Sequence, residues 1–361
     1  MAHVQKRGNG KYRARYRGPD HKERSKTFRR KIDAENFLAA IVASKSRGDW
    51  TDPALARITV GEWAEQWFGS RTNLKPKTIA TYRSLLDSQV LPVWAKVPLA
   101  DVQHLNVAEW VTKMMNDGLS ASRTRQAYNV LTAMLAGAVL DRRLPRNAAR
   151  GVALPRLPKC TVVACTHEQV QRLAAVAGAV DGLMILLLAY CGLRWGEAAG
   201  LRCRRVDLVR GRLEVAESLS DVNGTLVFGP PKSHETRYVP IPKFLCDALA
   251  IHIANLRDDD LVFTAPRGGP LRYRAWRRRT FDPARHAVGL PRLLPHHLRH
   301  TCASLLIAGG AHPKHIQTML GHASITTTLD RYGHLYGDEL DQLAAGLDLA
   351  SAHARGLAAA C

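Results

Sequence analysis

The sequence predicts a multidomain α+β chain, mainly helical, with small β-sheets, and three observations carry this expectation. Its 361 residues exceed one ordinary domain. Apolar residues recur at helical spacing through most of the chain, but alternate as in strands near the N-terminus and again between Leu213 and Ile241. Two proline-bearing breaks, around Pro53 and from Leu154 to Pro158, divide the chain. The expected parts are a small N-terminal sheet with a covering helix (1–53), a helical domain (57–153), a mixed α/β domain (160–345) and a C-terminal tail (346–361).

The N-terminal sheet is expected because Lys11 to Arg17 alternates Tyr or Ala with Lys or Arg, and a Gly18-Pro19-Asp20 turn precedes a second strand ending at Phe28. The stretch from Asp33 then reads as an amphipathic helix able to cover one face. Residues 1–31 hold twelve Lys or Arg against two acids, about half of the chain's +21 excess. Charge of that density asks for a polyanion, and nucleic acid is the first candidate. Lys6, Arg7, Lys11, Arg13, Arg15 and Arg17 are the candidate contacts; a disordered basic tail is the competing account of this segment.

From Thr59 to about Arg150 the pattern is helical. One helix opens at Lys75-Pro76, with proline in its first turn, and turns Ile79, Tyr82, Leu85 and Leu86 to one face. Another starts near Ser120 and carries Ala127, Val130, Leu131 and Met134. Lys75, Lys77, Arg123 and Arg125 lie beside these apolar stripes as candidate phosphate contacts, although solvated helix faces look the same. Thr166 to Gln169 is a capping box that opens the next helix. Strand signals at Leu213–Ser218, Thr225–Phe228 and Arg237–Ile241 predict a short meander.

The seven cysteines form no Cys-x-x-Cys pair and are odd in number, which argues against a zinc cage or a disulfide framework. No apolar run approaches a membrane span and no signal-peptide pattern begins the chain, so a soluble intracellular protein is expected.

Four motifs carry chemistry. In Cys191-Gly-Leu-Arg194-Trp-Gly-Glu197, an arginine just past an apolar helix has a carboxylate three residues on that can fix and aim it. A polar loop from Pro230 to Arg237 bears Lys232 near its start. His296 and Arg299 stand one helical turn apart, a spacing that lets a guanidinium grip phosphate oxygens while an imidazole moves a proton. Finally, His322 precedes Tyr332 by ten residues, and glycines flank the tyrosine closely enough for it to enter and leave a site. Taken singly, each motif also fits an ordinary surface residue or packing role.

The ordered set Arg194, Lys232, His296-x-x-Arg299, His322, Tyr332 closely resembles the signature of the tyrosine recombinases, the phage integrase family. Over the whole chain the resemblance is to arm-domain-containing integrases of temperate phages and integrative elements. It implies an arm-type DNA-binding domain, a helical core-binding domain and a catalytic domain, in that order. It further implies that Tyr332 attacks DNA to form a 3′-phosphotyrosyl ester. Arg194, Arg299 and His322 would hold the scissile phosphate, His296 would help deprotonate Tyr332, Lys232 would protonate the leaving 5′-oxygen, and Glu197 would act in support. No cofactor or metal is expected. The implied partners are double-stranded DNA at attachment sites, three further copies of the chain, and possible host DNA-bending and directionality factors, all in the nucleoid-bearing cytoplasm of a bacterial host. The tail sets Leu340, Leu343 and Leu347 on one helical face, suited to docking on a neighbouring protomer or folding back on its own domain.

Two other classes compete. A type IB topoisomerase shares this chemistry but has no use for a separate basic arm. A non-catalytic DNA-binding protein could use the helix-turn-helix-like stretch Ala303 to Leu320, but would have no reason to carry Arg194, Lys232 and Tyr332.

Overall fold

The computed structural model describes residues 2–18, 21–47, 51, 55–158, 163–231, 235–336 and 340–358. The chain divides into two compact units, Met1–Lys159 and Cys160–Cys361.

The first unit opens with an antiparallel sheet of β1 (His3–Lys6), β2 (Tyr12–Arg17) and β3 (Glu23–Phe28), followed by helix α1 (Lys31–Arg47). The alternation expected of β2 is present, since Ala14 and Tyr16 are buried against Ala34, Leu38 and Ile41 of α1. Strand β1 was not foreseen, because a four-residue edge strand leaves almost no periodic signal. The helical part runs through α2 (Val60–Gly69), α3 (Pro76–Leu85), α4 (Leu91–Trp94), α5 (His104–Asn116) and α6 (Ala121–Leu140). Thr59 caps α2 in a reciprocal capping box with Glu62, and Ser120 caps α6. Trp63, Trp67, Trp94 and Trp110 fill the core of this bundle with Leu131, Met134 and Leu135, and the Trp63 indole donates to the Met134 carbonyl at 3.0 Å.

The second unit is built on α7 (His167–Ala177) and α8 (Ala179–Cys191), the latter almost wholly apolar after its first turn and buried there accordingly. The short α9 (Trp195–Ala199) leads into β4 (Val206–Asp207), β5 (Arg212–Val215), β6 (Ser218–Val222), β7 (Thr225–Gly229) and β8 (Arg237–Pro240). The predicted meander is corrected here. β8 pairs with β5, in the order β4-β5-β8, and β6-β7 is a separate hairpin. The spacing of strand signals shows where strands lie but not their partners, and Leu213 and Val239 pair because both are needed in the core. Then come α10 (Lys243–Ile253), α11 (Tyr273–Trp276), α12 (Asp282–Ala287), α13 (Pro295–Ala308), α14 (Pro313–Leu320), α15 (Ile325–Tyr332) and α16 (Leu340–Ala358). Among the described residues, no helix is long and apolar enough to cross a membrane.

Asp181, in the first turn of α8, ties this framework together. Its carboxylate accepts from the Trp276 indole at 2.9 Å and the Thr280 hydroxyl at 2.7 Å, and Trp276 packs against Trp195 beside Arg194. Asp181→Ala strands two largely buried donors and should lower stability by about 2–3 kcal/mol. Urea unfolding followed by tryptophan fluorescence checks this, and an unchanged midpoint would remove Asp181 from the framework.

Candidate active site

Helix α8 ends at Gly192, which adopts φ +64°, and a side chain there would meet Leu320 at 2.5 Å. The turn sets Arg194 in an extended conformation as N-cap of α9, off the helix end. Glu197 reaches back as anticipated. Its Oε2 accepts from the Arg194 backbone N–H at 2.9 Å and its Oε1 from Arg194 Nη1 at 2.7 Å. The second partner of Glu197 was not anticipated. Arg237, at the start of β8, donates to both carboxylate oxygens, at 3.1 and 2.6 Å, and its Nε donates to the Met319 carbonyl at 3.1 Å. Burial alone would push the Glu197 carboxyl up, but the hydrogen bonds and charge of Arg237, joined by Arg194, outweigh it and hold the pKa at about 2. Glu197 therefore stays ionised at neutral pH, and its stability contribution is complete above the ordinary value of 4.5 and lost only as pH falls toward 2. Sequence reading passed over Arg237 because an arginine opening a short strand looks solvated; its partners lie 40 and 82 residues away.

Helix α13 begins at Pro295 and presents His296, Arg299 and His300. The Arg299 guanidinium is buried and points inward, its Nη1 donating to the Gly192 carbonyl at 2.6 Å and its Nη2 to the Leu320 carbonyl. Burial, with the nearby Arg194 charge, lowers its pKa to about 9. Arg194 Nη2 approaches the Gly321 carbonyl at 3.5 Å, so both arginines close on the turn that precedes His322. Gly321 ends α14 at φ +64°, and a Cβ there would strike the Arg237 side chain at 2.9 Å. His322 Nδ1 is hydrogen-bonded to the Thr328 hydroxyl at 2.9 Å, and its ring lies parallel to that of Tyr332 with centroids 6.5 Å apart.

Tyr332 is the last residue of α15 and is fully buried, unlike the mobile, glycine-flanked residue expected. The difference arises because Ser324 caps a regular helix whose inner face packs Thr328 and Tyr332 into the core. The Tyr332 hydroxyl is 2.6 Å from His300 Nδ1, so its hydrogen-bond partner is His300 and not His296. The His296 ring instead meets the His300 ring edge-on, with centroids 4.8 Å apart. Burial first, and then the surrounding arginine and histidine charges, depress His296 and His322 to about 4 and His300 to about 3. Burial raises Tyr332 to about 12. Three neutral imidazoles, two arginines and a protonated phenol thus converge, with Arg331 adding positive charge from the next position along α15. Lys232 lies outside the described residues.

Residues 164–339 match the model described as the phage integrase family, residues 3–47 the phage integrase N-terminal domain, and residues 59–115 the phage integrase N-terminal SAM-like domain. The chain belongs to the phage integrase family of tyrosine recombinases. It is 29% identical over 341 residues to a putative prophage phiRv2 integrase of Mycobacterium tuberculosis H37Rv, covering 90% of this chain and 89% of the relative. It is also 28% identical over 327 residues to an integrase of Mycobacterium phage D29, covering 86% and 84%. Among solved structures, the fold resembles the Tn1549 transposon integrase in complex with transposon right end DNA (TM-score 0.66, 22% identity, 80% of this chain and 98% of that one). It also resembles a lambda integrase tetramer bound to a Holliday junction (TM-score 0.58, 18% identity, 93% and 95%).

The candidate DNA contacts of the first unit have varied surroundings. Arg13, Arg15 and Arg17 alternate with the buried residues of β2 and so share the face of the sheet turned away from α1, where Arg15 pairs with Glu23 at 3.3 Å. Lys6, Arg7, Lys11 and Arg17 are exposed. Lys75 is the N-cap of α3 and Lys77 lies in its first turn. Arg123 donates to Ser84 at 3.1 Å and Arg125 to the Pro155 carbonyl at 2.9 Å, so these two also tie elements of the bundle together.

Arg237→Ala should destabilise the chain by about 3–5 kcal/mol, because it leaves a buried carboxylate short of a partner, and pairing it with Glu197→Gln should recover part of that loss. A double-mutant cycle in urea checks the coupling; additive effects would show that the two side chains do not depend on each other.

Proposed function

We propose that the chain is a site-specific DNA recombinase that integrates and excises a phage or mobile element, cutting and rejoining DNA through a 3′-phosphotyrosyl bond to Tyr332 and a Holliday junction. The observation that carries this reading is that the Tyr332 hydroxyl meets His300 at 2.6 Å within the field of Arg299, while Arg194 and Arg299 both close on the Leu320–Gly321 turn that precedes His322. A phosphodiester repels nucleophiles by its charge, so its cleavage requires cations at the non-bridging oxygens and control of two protons.

In this reading Arg194 and Arg299 exchange backbone carbonyl partners for the non-bridging oxygens of the scissile phosphate. His322, with Nδ1 engaged by Thr328, turns Nε2 to the same phosphate. His296 and His300 form the imidazole wall beside the nucleophile, and Lys232 protonates the departing 5′-oxygen. Glu197 positions Arg194 and carries no proton, in keeping with its low pKa. The energy of the phosphodiester is kept in the tyrosyl ester, so a 5′-hydroxyl from another strand can reverse the step without a nucleotide cofactor.

The basic sheet would bind arm-type sites, and α3 and α6 the core site, with Lys75, Lys77, Arg123 and Arg125 near phosphates. The chain would act as a tetramer on two DNA sites, as the lambda integrase does on its junction, with α16 reaching a neighbouring protomer; Leu347 and Leu349 on that helix are exposed. A host DNA-bending protein and a directionality factor would complete the assembly at the bacterial nucleoid.

Tyr332→Phe should abolish covalent protein–DNA adducts while leaving binding intact, as a gel assay on an attachment-site duplex would reveal. Adducts at wild-type yield would move the nucleophile elsewhere, with Tyr336 next in line.

Replacing the bridging 5′-oxygen with sulfur removes the need for a general acid, whose loss otherwise costs about 10²- to 10⁴-fold in rate. Sulfur should therefore restore cleavage to Lys232→Ala and give no comparable rescue to Arg194→Ala in single turnover. Rescue of Arg299→Ala with Lys232→Ala left inactive would assign the lysine to DNA positioning.

A further inference from the structure

We propose that His300 is the group that takes the proton from Tyr332, so that nucleophile and base are already paired in the free chain; this rests on the reading of Tyr332 as nucleophile. The two side chains come from α13 and α15, 32 residues apart, and meet at 2.6 Å with both residues buried. His296 makes no hydrogen bond to Tyr332 among the described residues. It buttresses His300 edge-on, while the His297 ring lies tilted to His300 with centroids 6.0 Å apart. A hydroxyl nucleophile within hydrogen-bond reach of a base, with that base oriented by further groups, is the arrangement that activates serine and threonine nucleophiles elsewhere.

The pair is inactive until DNA arrives. His300 is depressed to about 3 by burial and by the charges of His296, Arg331, His297 and Arg299, while burial raises Tyr332 to about 12, so the proton stays on the phenol. The groups facing the pair are Arg299, His296, His297 and Cys302 from α13, Arg331 from α15 and the His322 ring parallel to Tyr332, with no carboxylate among those that shift His300 or Tyr332. A phosphate seated on Arg194 and Arg299 offsets those positive charges and makes an imidazolium less costly beside it. As the Tyr332 Oη–P bond forms, the phenolic proton passes to His300 Nδ1. The P–O5′ bond breaks, and the 5′-oxygen takes a proton from the general acid, Lys232 in the present reading. On rejoining, the attacking 5′-hydroxyl gives its proton back to that general acid as the new P–O5′ bond forms, and His300 returns its proton to Tyr332 as the tyrosyl oxygen leaves phosphorus.

The test uses the full chain and a nicked attachment-site duplex whose 5′ fragment diffuses away, so that adduct formation is read in a single turnover. His300→Asn keeps a hydrogen-bonding group near the Nδ1 position but cannot accept a proton at neutral pH. It should bind DNA and unfold like the wild type, yet form adduct about 10²- to 10⁴-fold more slowly. His300→Leu should be as slow. A fluorinated tyrosine of lower pKa at position 332 should recover at least about tenfold in both variants, because a more acidic phenol needs less help from a base. Adduct formation by His300→Asn within about threefold of wild type overturns the proposal. So does a slow variant that gains nothing from the fluorinated tyrosine, since that pattern belongs to packing. Peptide mapping of the wild-type adduct separates the two levels. Attachment at Tyr336 overturns both the nucleophile and its base, whereas attachment at Tyr332 with a fast His300→Asn overturns only the base.

Discussion

A single ionised carboxylate, Glu197, organises the site from beneath. It is buried, and a buried carboxylate is tolerated only when its charge and lone pairs are answered. Arg237 answers with both terminal nitrogens, and Arg194 with one nitrogen and its backbone N–H. Because Arg237 also reaches the Met319 carbonyl, the same cluster fixes the start of β8, the N-terminus of α9 and the end of α14. Arg194 is aimed from one of these elements and His322 follows another. The geometry of the candidate site thus depends on this charge cluster.

The second constraint is charge balance at the mouth of the site. Arg194 and Arg299 stand close enough for each other's charge to matter, and Arg299 meets the cost with two backbone carbonyls. Burial and the same field keep the histidines neutral, whereas the tyrosine keeps its proton because burial outweighs the opposing pull of the Arg299 and Arg331 charges. A site of this charge favours an anion, which the proposed phosphodiester substrate would supply. In the proposed reaction, burial keeps Tyr332 protonated in the free chain and would strengthen the electrostatic contacts once that anion is bound.

Much of the local structure could be read in advance because its causes are local. Thr59, Ser120 and Thr166 cap their helices through contacts within three residues, and the alternation of β2 turns Ala14 and Tyr16 inward. Arg194 and Glu197, three residues apart, were legible as a pair for the same reason. Strand pairing was less accessible: β5 chose β8 over β6 because the sheet buries Leu213 against Val239, a choice that strand propensity does not encode.

By itself the sequence determined the order and spacing of Arg194, Lys232, His296, Arg299, His322 and Tyr332, and with them the family and the chemistry available, since such a set depends only on residue identity along the chain. Tertiary structure alone decided which of these groups touch. It placed Arg237 under Glu197 and put His300, not His296, on the Tyr332 hydroxyl. On α13 the two histidines lie one turn apart on the same face, so periodicity cannot tell them apart. Only the packing of α15 against that face, driven by burial of Thr328 and Tyr332, selects which imidazole meets the phenol.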